Sequence, residues 1–252
     1  MKPLLEVKNL TKRFNRKGQE ELTAVNHVDF CLYPGETLGI VGESGSGKST
    51  VARAVTRLLD VTEGEIWMAG SNITHVKGRT LREIYRQFQM VFQSPAESFD
   101  PRRTLGDGIG ESLRNSGVPS KERKERVREL LVQCGLPDDY ANRYPHEVSG
   151  GECQRAAIAR ALAVGPKFLI CDEATSALDV TVQKQIMQLL ARLKEEQGMS
   201  YLFICHNLAL VQQFCDRILV MQNGSIVEEG TPDEVILHPA ADYTKRLIAA
   251  AL

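Results

Sequence analysis

The chain has 252 residues, of which 42% are hydrophobic, and 31 Lys and Arg residues nearly balance 32 Asp and Glu residues. This length suits one sizeable α/β domain or a core with a subdomain. A net charge of −1 gives no electrostatic argument for nucleic-acid binding. No run approaches the ~20 apolar residues that cross a bilayer, so we expect any membrane spans to come from another chain.

The cysteines and the first residues of the chain indicate a reduced, intracellular protein. Six cysteines, at positions 31, 134, 153, 171, 205 and 215, are scattered without a C-x-x-C pair. This spacing argues against a zinc site or a disulfide framework and favours packed thiols. Charged residues from Glu6 to Arg13 interrupt any apolar signal-peptide region.

Apolar patterns in the first 94 residues predict mostly strands. The third strand is short and wholly apolar, as in a buried strand, and a helix follows it. The predicted strands cover residues 4–14 (an edge strand), 24–36 (ending in a Pro-Gly turn), 37–42, 64–70 and 88–93.

The segment from about 95 to 165 is predicted to be mostly helical. Its clearest helix covers residues 119–136, where apolar residues recur at i, i+3, i+4 and i+7 and Gly135 is the expected stop. The charged run KERKER is interpreted as the solvated face of that helix.

The last third again alternates strands with helices, which predicts an α/β fold with a parallel-sheet core. Asn223-Gly224 is expected to turn a hairpin. The predicted elements are strands over 167–174 and 199–207 with an amphipathic helix between them, the hairpin over 217–230, and a capped helix over 231–238.

A glycine-rich loop between the third strand and its helix predicts a phosphate-binding site. The sequence GESGSGKS matches G-x-x-x-x-G-K-[ST] in the strand–helix context that this motif requires. We expect the N–H groups of residues 44–49 to hold ATP phosphates, Lys48 to reach the β- and γ-phosphates, and Ser49 to bind Mg²⁺. The residues assigned to the nucleotide are Gly42, Glu43, Ser44, Gly45, Ser46, Gly47, Lys48, Ser49 and, less critically, Thr50.

Other polar residues follow predicted strands, at the edge where open α/β sheets bind ligands. Asp172 and Glu173 end a buried strand, where we expect Asp172 to hold Mg²⁺ through water and Glu173 to act as general base. Gln93 is expected to meet Mg²⁺ and the attacking water, and His206 the γ-phosphate. Taken alone, the acid pair reads equally as a helix cap, Gln93 as a surface residue and His206 as a capped loop residue.

The stretch VSGGE, residues 148–152, raises a question about glycine. Ser149 and Glu152 form a capping box, yet Gly150 and Gly151 each cost roughly 1 kcal/mol relative to Ala in a helix interior. We interpret the glycines as leaving the N–H groups of a helix start open, and such a start binds anions.

The order of these motifs resembles the ATP-binding cassette (ABC) ATPases over essentially the whole chain. The resemblance makes Gln93 the Q-loop glutamine, VSGGE the signature motif and His206 the switch histidine. It makes SALD, residues 176–179, the D-loop, with Asp179 at the nucleotide. Phe14 matches the aromatic residue that stacks on adenine, with a core Phe as the alternative.

The resemblance implies an α/β fold with a P-loop NTPase (RecA-like) core, an N-terminal antiparallel β subdomain and an inserted helical signature subdomain. Residues 1–252 would form one ABC ATPase domain, with a catalytic core over 1–94 and 166–252 and the helical subdomain over 95–165. Two ATP molecules, with Mg²⁺, would be sandwiched between the P-loop of one subunit and the signature of the other. Hydrolysis therefore requires a dimer.

Longer stretches around Gln93 and the signature resemble the ATPases of dipeptide, oligopeptide and nickel importers. The implied partners are a second, different ATPase chain, two transmembrane permease subunits and an extracytoplasmic solute-binding protein, with no nucleic acid. The implied location is the cytoplasmic face of the membrane, as a peripheral subunit. The chain ends with HPAADYTKRLIAAAL, which favours nickel or metal-chelate members over peptide members with a longer C-terminal extension.

Two other functions remain open at this stage. One is a soluble ABC protein that acts on nucleic acid or ribosomes, although tandem cassettes, coiled-coil insertions and zinc modules are missing. The other is the ATPase of an exporter. Three positions depart from the family pattern: Val148 replaces Leu, Glu152 replaces Gln, and Asn207 replaces Asp after the switch histidine.

Overall fold

A computed structural model describes residues 2–15, 21–176 and 178–251. The chain divides into two compact units, one of Met1–Tyr85 with Gly198–Leu252 and one of Arg86–Gln197. The strands in the described ranges are β1 (Leu5–Phe14), β2 (Leu22–Leu32), β3 (Thr37–Val41), β4 (Glu63–Met68), β5 (Ser71–Asn72), β6 (Phe88–Val91), β7 (Phe168–Asp172), β8 (Ser200–Ile204), β9 (Arg217–Gln222) and β10 (Ser225–Gly230). The α-helices there are α1 (Lys48–Val55), α2 (Gly78–Ile84), α3 (Leu105–Ile109), α4 (Glu111–Asn115), α5 (Ser120–Gln133), α6 (Gly150–Leu162), α7 (Val180–Gln197), α8 (Leu208–Phe214), α9 (Pro232–Leu237) and α10 (Asp242–Ala251).

The first unit contains an antiparallel sheet in the order β2-β1-β4-β5. Leu5 of β1 pairs with Leu32 of β2 on one side and with Met68 of β4 on the other. The prediction that β1 is an edge strand was therefore wrong. Alternating polarity reports which face of a strand is buried, whereas pairing of its two edges depends on the backbone and leaves no such pattern.

The first unit also contains the parallel strands that carry the P-loop. β3 lies between β8 and β9 and runs parallel to both, and every residue of β3 and β8 is buried. β9 continues into β10 through the predicted hairpin, where Asn223 and Gly224 have φ of 48° and 83°. Positive φ at both central residues suits the twist of a two-residue hairpin.

The second unit pairs β6 with β7 in parallel and surrounds them with helices. Phe88 and Phe168 stack with ring centroids 5.6 Å apart at the start of these strands. The apolar face of α5 is buried, and Gly135 follows the helix with φ of 75°, as expected for its stop. The proposed subdomain limits at residues 95 and 165 remain a prediction.

Parallel pairing fixes where each unit can present its polar residues. In the first unit, β3 and β8 run in the same direction, so the P-loop and His206 follow carboxyl ends at one edge. In the second unit, β6 and β7 also run in the same direction, so Gln93 and Asp172 lie at the carboxyl ends of their strands, at one edge. Within the described ranges, no helix combines the length and apolar character needed to cross a bilayer.

Candidate nucleotide-binding and catalytic site

The backbone of the P-loop requires glycine at two positions. Gly42 has φ of 148° and Gly47 has φ of 107°. A Cβ at Gly42 would lie 2.2 Å from the Met221 carbonyl oxygen, and one at Gly47 would lie 2.4 Å from the Ala24 carbonyl oxygen. The loop is therefore shaped by close contact with backbone of β2 and β9.

The P-loop ends in an open helix start. Gly47 is the N-cap of α1 and supplies no side-chain cap, and the first turn of α1 has no acidic residue. Ser44 and Gly45, at the tip of the loop, are exposed, and Ser49 and Thr50 are half-buried. A helix start without a side-chain cap, approached by a glycine-rich loop, is a phosphate-binding geometry.

The Lys48 side chain folds back over the P-loop. Its Nζ donates to the carbonyl oxygens of Gly42 at 2.8 Å and Glu43 at 2.6 Å, and it lies 3.3 Å from Ser46 Oγ. Only 4% of the Lys48 surface is exposed. These oxygens stabilise a buried ammonium group and keep it within the loop that would hold phosphate.

Asp172 and Glu173 end β7 in different backbone conformations. Asp172 is the last residue of the strand and is 8% exposed. Glu173 follows with φ of 50°, in the left-handed region, and is half-buried. A non-glycine residue held in this region is uncommon and is often found where function fixes the backbone.

Gln93 reaches the loop that follows Glu173. Gln93 is exposed, two residues after β6, and its Nε2 donates to Ser176 Oγ at 3.1 Å. Ser176 Oγ in turn donates to the Glu173 carbonyl oxygen at 2.9 Å. Three residues assigned from sequence to the Q-loop, the catalytic base and the D-loop are thus linked within the second unit.

The predicted magnesium ligands are chemically suited to that ion. Ser49, Gln93 and Asp172 offer a hydroxyl, an amide and a carboxylate oxygen. Mg²⁺ prefers oxygen and is usually held by one or two carboxylates together with phosphates and water. The described ranges contain no cluster of three His, Cys, Asp or Glu residues that could hold a metal.

The two signature glycines have different structural roles. Ser149 is the N-cap of α6, and Gly150 is exposed, with only Leu178 near it, 3.7 Å from where a Cβ would lie. Gly151 is buried, and a Cβ there would lie 2.3 Å from Val182 Cγ1. Exposure of the helix start therefore explains Gly150, whereas packing against α7 explains Gly151, which the sequence analysis did not anticipate.

Glu152 is held on both carboxylate oxygens. Its Oε2 accepts from Ser149 N and Ser149 Oγ, each at 2.8 Å, and its Oε1 accepts from Tyr140 Oη at 2.6 Å. The hydrogen bonds from Tyr140 and Ser149 lower the pKa of Glu152. The predicted capping box is present, and Tyr140 is an additional partner that no local sequence pattern indicated.

The D-loop aspartate caps the helix that follows it. Asp179 Oδ1 accepts from Val182 N at 3.0 Å, at the start of α7. This contact provides an N-cap and leaves the proposed role at the nucleotide as a prediction. Ala177, the second residue of the SALD stretch, lies outside the described residues.

His206 is exposed two residues beyond β8, and its contact with the γ-phosphate stays a prediction. Asn207 Oδ1 accepts from Ala209 N at 3.0 Å and Leu210 N at 3.3 Å, so it is the N-cap of α8. Asn and Asp cap helices about equally well, so the capping role does not require Asp at this position.

Phe14 is half-exposed at the end of β1. Its ring lies under Lys12 Nζ, 5.0 Å from the ring centroid, a cation–π arrangement. Phe14 is not one of the fully buried core residues, and its stacking on adenine stays a prediction.

A sequence profile of the ABC transporter family matches residues 25–176, and the chain belongs to this family. The oligopeptide transport ATP-binding protein OppF of Streptococcus mutans is 47% identical over 99% of this chain and 82% of its own length. The dipeptide transport ATP-binding protein DppF of Lactococcus lactis is 45% identical over 99% of this chain and 81% of its own length.

A solved structure of the ATP-binding cassette MJ0796, a dimer in a post-hydrolysis state with ADP and phosphate, matches with a TM-score of 0.82. It is 32% identical and covers 90% of this chain and 98% of its own. The predicted P-loop NTPase fold is therefore confirmed, and the chain is an ATP-binding subunit with ATPase activity.

Proposed function

We propose that this chain hydrolyses ATP to drive the import of peptides through an ABC transporter. The observation that carries this proposal is the similarity, over nearly the full chain, to subunits whose names state oligopeptide and dipeptide transport. Nickel or metal-chelate import is the second solute class that the sequence motifs favour. Acting on nucleic acid or driving export has no support from these relatives.

The nucleotide would be shared between two subunits. The open start of α1 and Lys48 form one phosphate-binding surface. Ser149 and Gly150 are exposed at the start of α6 and form a second. Because both helix starts attract anions, the P-loop of one subunit and the signature of its partner would enclose one ATP between them. The partner would be a second, different ATPase chain.

Hydrolysis would use residues that follow β6, β7 and β8. Water attacks the γ-phosphorus, the bond to the β,γ-bridging oxygen breaks, and ADP leaves while Glu173 takes the water proton. Lys48 and His206 donate to the phosphoryl oxygens, and Gln93 orients the water. Mg²⁺, held by Ser49, Gln93 and Asp172, would neutralise phosphate charge when it is bound.

The remaining parts of the transporter would come from other chains. Two permease subunits would span the membrane, and an extracytoplasmic solute-binding protein would deliver the solute. This chain would act at the cytoplasmic face as a peripheral subunit. Phe14 and Asp179 would complete the nucleotide site, at adenine and at the dimer interface.

Solute uptake in a deletion strain tests the proposal. The strain would be complemented with the natural chain, with Lys48→Ala or with an exposed-surface control, Lys124→Ala, and then given radiolabelled di- and pentapeptides or ⁶³Ni²⁺. We expect loss of peptide uptake, restored by the natural chain and the control but not by Lys48→Ala. Loss of nickel uptake alone would assign the chain to metal import, and loss of only sugar or lipid uptake would contradict the proposal.

A further inference from the structure

The last helix of the described chain contacts the P-loop. The backbone N–H of Glu43 donates to the Tyr243 hydroxyl oxygen at 3.0 Å. Tyr243 lies in the first turn of α10 and is 6% exposed, so its hydroxyl is held in place by the packing of the ring. Both residues belong to the first unit.

This contact fixes one peptide group of the P-loop from both sides. In the Gly42–Glu43 peptide group, the N–H of Glu43 donates to Tyr243 Oη and the carbonyl oxygen of Gly42 accepts from Lys48 Nζ at 2.8 Å. Residues 44–49, whose N–H groups are expected to surround the phosphates, begin directly after this peptide. The tyrosine therefore acts on the loop at its first turn, just before the N–H groups that are expected to hold phosphate.

The start of α10 is itself anchored to the sheet. The Glu228 carboxylate, on β10, accepts from Ala240 N at 2.7 Å and from Ala241 N at 3.0 Å, immediately before the helix. Partial burial raises the pKa of Glu228, but its interactions with the Thr244 side chain, the Ala240 and Ala241 N–H groups and the charge of Lys245 together outweigh burial and leave the pKa below its ordinary value. A charged Glu228 thus places Tyr243 relative to β10.

We propose that Tyr243 is a positioning residue for ATP binding, which holds the Glu43 peptide so that the P-loop is preformed and Lys48 can exchange its loop carbonyl for phosphate. This inference rests on the proposed role of the P-loop residues. Without the hydroxyl, the N–H of Glu43 loses its acceptor in a part-buried contact, and the loop must be ordered by the nucleotide at a cost in affinity.

The test compares Tyr243→Phe with a matched control, Tyr33→Phe, in the full chain. Tyr33 lies before the amino end of β3, at the opposite end of that strand from the P-loop. Titration calorimetry with MgATP gives Kd, hydrogen exchange reports the Glu43 amide, and steady-state kinetics of the assembled transporter give KM and kcat. For Tyr243→Phe we expect Kd and KM to rise about fivefold, the worth of one net hydrogen bond, with kcat nearly unchanged and faster Glu43 exchange.

The outcomes separate this inference from the proposed site. Unchanged Kd for Tyr243→Phe, or equal losses in both Tyr variants, would overturn the positioning role. Lys48→Ala serves as the reference for the site itself. If it binds ATP as the natural chain does, the P-loop assignment fails; if it loses ATP while Tyr243→Phe binds normally, only the positioning role fails.

Discussion

Glu173 combines a reactive group with an uncommon backbone conformation. It follows the Mg²⁺-binding candidate Asp172 with φ of 50°, in the left-handed region. Its carbonyl oxygen accepts from Ser176 Oγ, so the link to Gln93 runs through the backbone of Glu173. The carboxylate is the group that we assign to proton transfer, as a general base requires.

We expect Glu173→Gln to bind ATP normally and to hydrolyse it at most about 1% as fast, the lower limit of a general base's usual contribution. The substitution keeps the size of the side chain and leaves the hydrogen bond from Ser176 Oγ to the backbone of residue 173 in place. It removes the carboxylate that accepts the proton. ATP turnover in the purified complex is the measurement. Glu195→Gln, on the exposed side of α7, is the control, and near-normal turnover of Glu173→Gln would remove this residue from the mechanism.

If Ser149 binds the nucleotide of the partner subunit as we propose, Glu152 would compete with that nucleotide for the serine. Ser149 Oγ accepts from Glu152 N at 3.3 Å and donates to Glu152 Oε2 at 2.8 Å. The serine proton that would meet the γ-phosphate of the partner is therefore engaged by a carboxylate of its own helix. In addition, a carboxylate about 8 Å from a phosphate charge repels it by about 2 kcal/mol at an effective dielectric near 20.

Glu152→Gln should consequently tighten ATP-driven dimerisation, because the amide releases the serine more easily and carries no charge. The measurement is dimer affinity with ATP in the Glu173→Gln background. Tyr140→Phe is the comparison, since it removes the other partner of Glu152 and retains the charge. Equal or weaker association of the Gln form would restrict Glu152 to capping.

The same carboxylate predicts a pH dependence of stability. Because its folded pKa lies below the ordinary value of 4.5, its stabilising contribution is complete above pH 4.5 and is lost as the pH falls through the folded pKa. The difference in Tm between the natural chain and Glu152→Gln should shrink over that range. A Tm difference that stays constant as the pH falls from 7 through the folded pKa of Glu152 would contradict this role.

At the scale of elements, α6 and α7 meet through the second signature glycine. We expect Gly151→Ala to be destabilised by about 1–3 kcal/mol, because the added methyl group meets Val182 and overpacks the contact. Gly150→Ala should fold normally, since nothing lies within 3.4 Å of that position, and should weaken ATP-dependent dimerisation. Thermal unfolding and dimer affinity separate the two effects.

A double-mutant cycle with Val182→Ala tests the proposed contact directly. Truncating Val182 removes the atoms that the new methyl group would meet, so it should restore much of the stability lost in Gly151→Ala. If the stability losses of Gly151→Ala and Val182→Ala simply add in the double variant, the glycine is needed for a reason other than this contact. If Gly150→Ala is the less stable single variant, the distinction between the two glycines is wrong.

The predicted elements depended on local patterns, and the failures were in pairing between distant residues. A short apolar run over residues 37–42 identified β3, whose five residues are all buried, and Asn223-Gly224 identified a hairpin that the structure contains. The central place of β1 and the contact of Val182 with Gly151 depend on which elements meet. Tyr243 and Glu43 are 200 positions apart, and no spacing rule connects them.

At the scale of the whole molecule, we propose that each chain carries two kinds of phosphate-binding surface. The P-loop lies in the first unit and the signature in the second. The solved cassette that this chain resembles, MJ0796, is described as a dimer with ADP and phosphate. Motif order predicts which residues form the site, whereas the identity of the chain that supplies the second signature does not follow from residue spacing and stays a prediction.

We therefore expect the chain purified alone to be mainly monomeric and a poor ATPase, because its signature would serve the nucleotide of a different chain. Activity should rise when the permease subunits and the second ATPase are added. Light scattering after size exclusion, with and without ATP in the Glu173→Gln form, measures association, and phosphate release measures turnover. A stable and fully active homodimer in isolation would show instead that two copies of this chain form both nucleotide sites.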